Sequence, residues 1–207
     1  MSWSFFDAIF CINLAKRKDK WLLAEKQFEK MCISDKVTRV NGIEHHVGVY
    51  GCKLSHTTLL RIAKEKNYKN VLIFEDDLEF CCDKETTEKH LNLSISDLPE
   101  NWHMLYLGAN LLRPTISVTD NISKLNGAYA MHAYAVNSSM YDTIINYSDA
   151  SGQRVPIDVI TSELQKNHNC FCTKKLLANQ TPSRSNILGH EVDYRETISC
   201  NFKLNIK

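Results

Sequence analysis

The sequence contains no long hydrophobic run. Nowhere do apolar residues approach the roughly 18 in succession that a membrane-spanning helix needs, so no integral membrane segment is expected. The first ten residues lack the basic start of a secretion signal and carry Asp7 early. They read as a first strand, and a soluble, intracellular, cytoplasmic protein is expected. An excess of charge is missing too: 25 Lys and Arg stand against 24 Asp and Glu, for a net charge of +1. That balance gives no electrostatic reason to expect nucleic acid or anionic lipid as the main partner. The 8 cysteines include no C-x-x-C pair, which argues against a zinc site. Without an export signal, most of them read as reduced, buried, small hydrophobes. Internal repeats and low-complexity tracts are also absent.

What remains is a chain of 207 residues, 43% hydrophobic and 24% charged, the composition of one globular domain with a short C-terminal appendage. Residues 5–14 hold a continuous apolar run, the mark of a strand buried on both faces. Trp21, Ala24, Phe28 and Met31 recur on one helical face, with Asp19 as a plausible N-cap. A second strand is expected at residues 37–40, a helix at 52–66 after a permissive Gly48–Gly51 loop, and a buried strand at 71–74. Residues 81–100 suggest a surface helix with a loop, 104–107 a strand, and 113–126 a loop-rich insertion. The small residues of 127–136 suggest a strand close to a ligand or another backbone. Ser138 or Ser139 can cap a helix to about Tyr147, and Pro156 suits the first turn of another. From Pro182 onward, loop and short strands are expected. Strands alternating with helices predict an α/β fold with a mainly parallel central sheet.

Phe74-Glu75-Asp76-Asp77 is the sharpest chemical feature. Open α/β sheets bind ligands at the carboxyl ends of their strands, and three adjacent anions at such an end repel one another. A hard divalent cation relieves that repulsion, and oxygen ligands select Mg²⁺ or Mn²⁺, which also hold phosphate oxygens. The competing reading is a solvated acidic turn. The second feature is Gly51-Cys52-x-x-Ser55-His56, opening a helix. Its glycine permits close backbone approach, and a helix N-terminus attracts phosphate. Alternatively, Ser55 merely caps the helix and His56 is structural.

Taken together, Ile12-Asn13-Leu14, Arg17 and Asp19, the Gly51–His56 block and the Phe74–Asp77 block resemble glycosyltransferase family 25. That family holds the lipooligosaccharide galactosyltransferases of bacteria and the collagen hydroxylysine galactosyltransferases. The resemblance is clear over residues 7–80. It continues weakly through 102–108, 127–136 and Pro156-x-Asp158, and fades after Gln180 and Ser185. It implies a GT-A fold, a single Rossmann-like domain with a DxD-type metal site, its tail from about residue 182 closing over the donor site. Asp77, with Asp76 or Glu75, would reach Mn²⁺ (or Mg²⁺) and the donor diphosphate. Asn13, Leu14 and Arg17 would lie near the nucleotide, with Gly51, Ser55 and His56 also on the donor side. The implied activity is inverting transfer of galactose or glucose from a UDP-hexose to a hydroxyl of a glycan or hydroxylysine acceptor. Two positions depart from the family. Lys20 stands where it commonly has Arg, and Ala15 replaces a polar residue; a lysine cannot make the same bidentate contact.

An inverting displacement needs a base for the acceptor hydroxyl. Asp158, following Pro156, is the candidate, although acids in a first helical turn also simply complement the dipole. His190 is a possible further metal ligand, as is His132. Gln180 and residues 183–185 fall where the family has a donor-side loop. Tyr129 and Tyr134 read as core or wall residues. Two rivals differ in class. A metal-dependent nuclease or phosphatase would draw acids from several strands and favour a basic surface. A catalytically inactive relative would keep the fold as a binding module.

Overall fold

The computed structural model describes residues 2–184 and 190–207. In chain order the strands are β1 (Ala8–Asn13), β2 (Val37–Asn41), β3 (Asn70–Glu75), β4 (Leu78–Phe80), β5 (Met104–Tyr106), β6 (Asn110–Leu111), β7 (Ile116–Ser117), β8 (Ile122–Lys124), β9 (Ala128–Tyr129), β10 (Ala133–Asn137), β11 (Cys170–Thr173), β12 (Ala178–Gln180), β13 (Ser183–Arg184) and β14 (Glu191–Val192). The helices are α1 (Lys18–Met31), α2 (Gly48–Glu65), α3 (Lys84–Ser96), α4 (Tyr141–Ala150), α5 (Ile157–Leu164) and α6 (Arg195–Asn205).

An 8-stranded sheet in the order β2-β1-β3-β10-β5-β11-β8-β7 forms the centre. Parallel pairings join β1 to β2, β1 to β3 and β5 to β11. Antiparallel pairings set β10 against β3 and β5, β8 against β11, and β7 against β8. All strands but β10 and β8 therefore share one direction, and the sheet is mainly parallel, as the alternating pattern predicts. Period-2 geometry splits the apolar run of β3 between two cores. Val71 and Ile73 face a cluster with Leu59 and Ala63 of α2, Ile144 of α4 and Ile160 of α5. Leu72 and Phe74 face Ala24, Phe28 and Met31 of α1 and Leu91 of α3. With both faces covered, β1 and β3 need no polar alternation, which is why they read as continuous apolar runs.

Several expectations are corrected. Asp19 lies inside the first turn of α1, where it pairs with Arg17; no side chain caps that helix. Neither serine caps α4: Asn137 caps a short 3-10 turn, Ser138–Met140, that leads into it, its Oδ1 accepting the Ser139 amide at 3.0 Å. Residues 113–126 supply β7 and β8, which extend the sheet edge. The tail forms a further helix, α6, held by buried Ile198 and Phe202. All eight cysteines are free thiols, but Cys11, Cys170 and Cys172 alone are buried, while Cys32, Cys81 and Cys200 are exposed. Among the described residues, no helix is long and apolar enough to cross a membrane.

Candidate active site

The parallel register of β1, β2 and β3 brings their carboxyl ends together, with Ile12 beside Glu75 and Asn13 beside Asn41. A cleft of about 530 Å³ opens there. Leu14 and Lys20 line it, as do Ser55, His56, the whole Glu75-Asp76-Asp77 triplet, Asp158 and Gln180. Blocks that lie more than 140 residues apart in sequence thus converge on one space.

Within the triplet the three carboxylates are held differently. Glu75 Oε1 lies 3.0 Å from His56 Nε2, and His56 Nδ1 lies 2.7 Å from the Tyr134 hydroxyl. Burial pushes the Glu75 carboxyl up, but the hydrogen bond and charge of His56, with His132 and Lys20 beyond, outweigh it and leave Glu75 below its ordinary range. Asp76 Oδ2 accepts from Asn13 Nδ2 at 2.6 Å. Its burial, opposed by Lys20 and reinforced by Asp77, pushes it up to about 6. The Lys20 ammonium lies 3.4 Å from Asp76 Oδ1 and 3.1 Å from Asp77 Oδ2. Asp77 Oδ1 is buried without a hydrogen-bond partner, and an orphaned carboxylate oxygen of that kind is a cost unless something cationic meets it. Oxygen donors around such an atom fit a hard divalent cation. Behind the triplet, the Asp77 carbonyl accepts from the Thr181 amide at 2.6 Å and its hydroxyl at 3.1 Å, tying the acidic turn to the strand β12 region.

Cys52, His56 and Glu75 also place ligand-type atoms within 4.8 Å of one another. Both His56 ring nitrogens are already bonded, however, and burial pushes the Cys52 thiol well up, so it stays protonated. The hydrogen-bonded chain here is Glu75–His56–Tyr134, which braces the cleft wall.

The Gly51–His56 block acts otherwise than its spacing suggests. Helix α2 begins at Gly48, so Gly51 lies within its first turn and its amide donates to the Val47 carbonyl at 3.1 Å. A Cβ at Gly51 would meet the Ile43 carbonyl oxygen at 2.6 Å. Ser55 Oγ accepts the Ile43 amide at 2.7 Å and donates to the Gly51 carbonyl at 2.7 Å. Gly51 and Ser55 therefore dock the loop 42–46 against α2; Gly48 and Val49, at the true helix start, line the cleft together with Ser55 and His56, while the described lining does not include Gly51.

Across the cleft, Asp158 occupies the first turn of α5, as its position after Pro156 suggests. Its Oδ1 accepts the Val159 amide at 2.9 Å. Burial raises its pKa, and the negative charge of Glu75 adds to this, while the amides of Val159 and Ala130 pull the other way. Ala130 holds a left-handed φ of 71° between β9 and β10, a strained conformation for alanine.

Asn13 stands below the cleft, bonded to Asp76, and Arg17 bonds Asp19 at 2.7 Å on the outer surface. Tyr129 forms cleft wall and Tyr134 is core. His132 is fully buried, its Nε2 3.1 Å from the Ala178 carbonyl, and burial lowers its pKa. His190 is exposed, and the described cleft lining does not include it. Of the expected donor-side loop, Ser185 lies outside the described residues. Val192, Tyr194 and Ile198 of the tail are among the residues that line the cleft. Sequence reasoning missed the role of Lys20. The signal was there: Lys20 falls on the same face as Ala24, Phe28 and Met31 and, at 5% exposed, is buried with them. A lysine continuing an apolar stripe announces a buried cation with a partner.

No family profile matches the sequence, and no curated protein sequence matches it either. Solved structures do share its fold. Drosophila β-1,4-galactosyltransferase 7, solved as a mutant with manganese, UDP-Gal and xylobiose, superposes with a TM-score of 0.50 at 11% identity, over 86% of this chain and 71% of that one. A glycosyltransferase involved in glycosylation of the major capsid of PBCV-1 gives 0.46 at 10% identity, over 80% and 91%. A cytidylyltransferase from Leptospira borgpetersenii gives 0.46 at 12%, over 80% and 74%. The last two superpose too loosely to carry an argument. The first shows a GT-A-like α/β fold.

Proposed function

We propose that this chain is a metal-dependent glycosyltransferase of the family 25 kind, which moves galactose or glucose from a UDP-sugar to a hydroxyl of a glycan or hydroxylysine, with inversion. One observation carries the reading. A carboxylate with a raised pKa and no described ion pair, Asp158, shares a cleft with the charge-paired Asp76 and Asp77. One side is built to meet a cation and phosphate, the other to take a proton.

Asp77, through its orphaned Oδ1, and Asp76 would hold the divalent cation, which supplies Lewis-acid neutralisation of the leaving diphosphate when bound. The first turn of α2, at Gly48 and Val49, presents the positive end of its dipole to the same space. Asp158 would accept the acceptor hydroxyl proton. The freed oxygen would form its bond to the sugar's anomeric carbon as the carbon–oxygen bond to UDP breaks on the opposite face, the electron pair leaving with UDP. The fold likeness to a galactosyltransferase solved with manganese, UDP-Gal and xylobiose supports this reading.

A donor screen with Mn²⁺ tests the proposal: UDP release is followed for UDP-galactose, UDP-glucose and their N-acetyl counterparts. Release from a UDP-hexose, abolished in Asp77→Ala, is expected. No release and no binding with any donor would overturn the enzyme reading.

A further inference from the structure

Lys20 does something unusual for a surface-helix lysine. It is 5% exposed, on the buried face of α1, and its ammonium reaches both Asp77 Oδ2 at 3.1 Å and Asp76 Oδ1 at 3.4 Å. These are the two carboxylates that the proposed function gives to a divalent cation. An ammonium and a divalent cation on one pair of carboxylates repel each other, and where water is scarce that repulsion is poorly screened. Lys20 is therefore an internal competitor for the metal position. The competition is incomplete: one ammonium serves two carboxylates, and Asp77 Oδ1 stays buried and without a hydrogen-bond partner. Lys20 also lines the cleft, so an incoming diphosphate would offer its ammonium a new anionic partner and free the aspartates.

We infer that Lys20 keeps divalent cations off the ligand-free protein and yields when a nucleoside diphosphate enters, so that metal and donor bind as a coupled pair. The inference rests on the reading of Asp76 and Asp77 as the metal-and-diphosphate site. It assigns Lys20 a positioning role in place of the family's arginine-type clamp. Coupling is reciprocal: UDP tightens Mn²⁺ by the factor by which Mn²⁺ tightens UDP. In the empty protein Lys20 also spares the buried Asp76 and half-buried Asp77 from standing without a counter-charge.

The test titrates Mn²⁺ into the full chain, wild type and Lys20→Met, with and without UDP, reading free Mn²⁺ by electron paramagnetic resonance. Wild type should bind Mn²⁺ weakly alone and about tenfold or more tightly with UDP, the scale of a typical coupling between sites. Lys20→Met should bind Mn²⁺ alone about tenfold or more tightly than wild type, as removal of one close cation requires, and its gain from UDP should shrink. If Lys20→Met folds poorly, Lys20→Gln replaces it, and the Mn²⁺-induced rise in Tm should exceed that of wild type. Equal or lower Mn²⁺ affinity in the variants would overturn this inference while leaving the metal-and-donor reading standing. Absence of Mn²⁺ binding by any of the proteins, with or without UDP, would overturn both.

Discussion

The wall of the cleft drawn from residues 12–77 and the wall drawn from residues 129–198 treat charge differently. In the first, every carboxylate of the triplet has a side-chain partner: Glu75 has His56, Asp76 has Asn13, and Asp76 and Asp77 share Lys20. In the second, Asp158 has two backbone amides and no described ion pair; burial raises its pKa as it raises that of Asp76, but no described cation stands beside it. Paired carboxylates are fixed in place and ready to bind. A carboxylate without a counter-charge is poised to accept a proton. The division of labour proposed for the site follows from that contrast.

The contrast is broken most directly by neutralising one wall at a time. Asp158→Asn should lower kcat by about 10²–10⁴, the usual share of general-base catalysis, with Mn²⁺ and UDP affinities unchanged; calorimetry alongside turnover checks this. Loss of binding together with kcat would put Asp158 on the donor side and dissolve the distinction. In wild type, activity should fall as pH drops through a pKa above the ordinary aspartate range, because Asp158 acts only when ionised and its pKa is raised.

The next effect concerns stability of the metal-free protein. Asp76 has a folded-state pKa of about 6, above its ordinary value of 3.8. Its contribution is therefore complete below that ordinary value and is lost as pH rises through about 6. Over this window the group should cost up to ~3 kcal/mol, and Asp76→Asn should remove that slope. Urea unfolding in chelator across the window measures it; identical slopes in both proteins would contradict the burial argument.

Smaller effects sharpen the picture at the backbone. Gly51→Ala drives a methyl into the Ile43 carbonyl and should cost about 1–3 kcal/mol. It should also raise the donor KM, because Ile43, Glu44 and His45 line the cleft. Unchanged stability would mean that the loop 42–46 yields freely. Opposite it, Ala130→Gly should stabilise by up to about 1 kcal/mol by relieving the left-handed φ. A loss of stability, read by thermal unfolding, would show that this strain is absent.

The first wall was far more legible than the second. Apolar runs at β1 and β3 and the acidic triplet after β3 are local signals, and their order along the chain located the site. Asp158 was reached from Pro156 and a helix start, a weaker cue. The tail helix α6 escaped notice because its buried stripe is thin, Ile198 and Phe202 alone. The role of Gly51 was misjudged because the α2 start was placed after it, and helix starts are the least sharply encoded feature of a sequence.

By itself, then, the sequence determined the alternation of buried strands and amphipathic helices, and the chemistry available at the end of β3, because hydrophobic period and residue type are local properties. Tertiary structure alone decided which charges meet. Lys20 and Asp77 are 57 positions apart and His56 and Tyr134 are 78 apart. Whether a carboxylate is paired, orphaned or raised in pKa depends on burial and on neighbours brought by the sheet register, and no stretch of sequence carries that information.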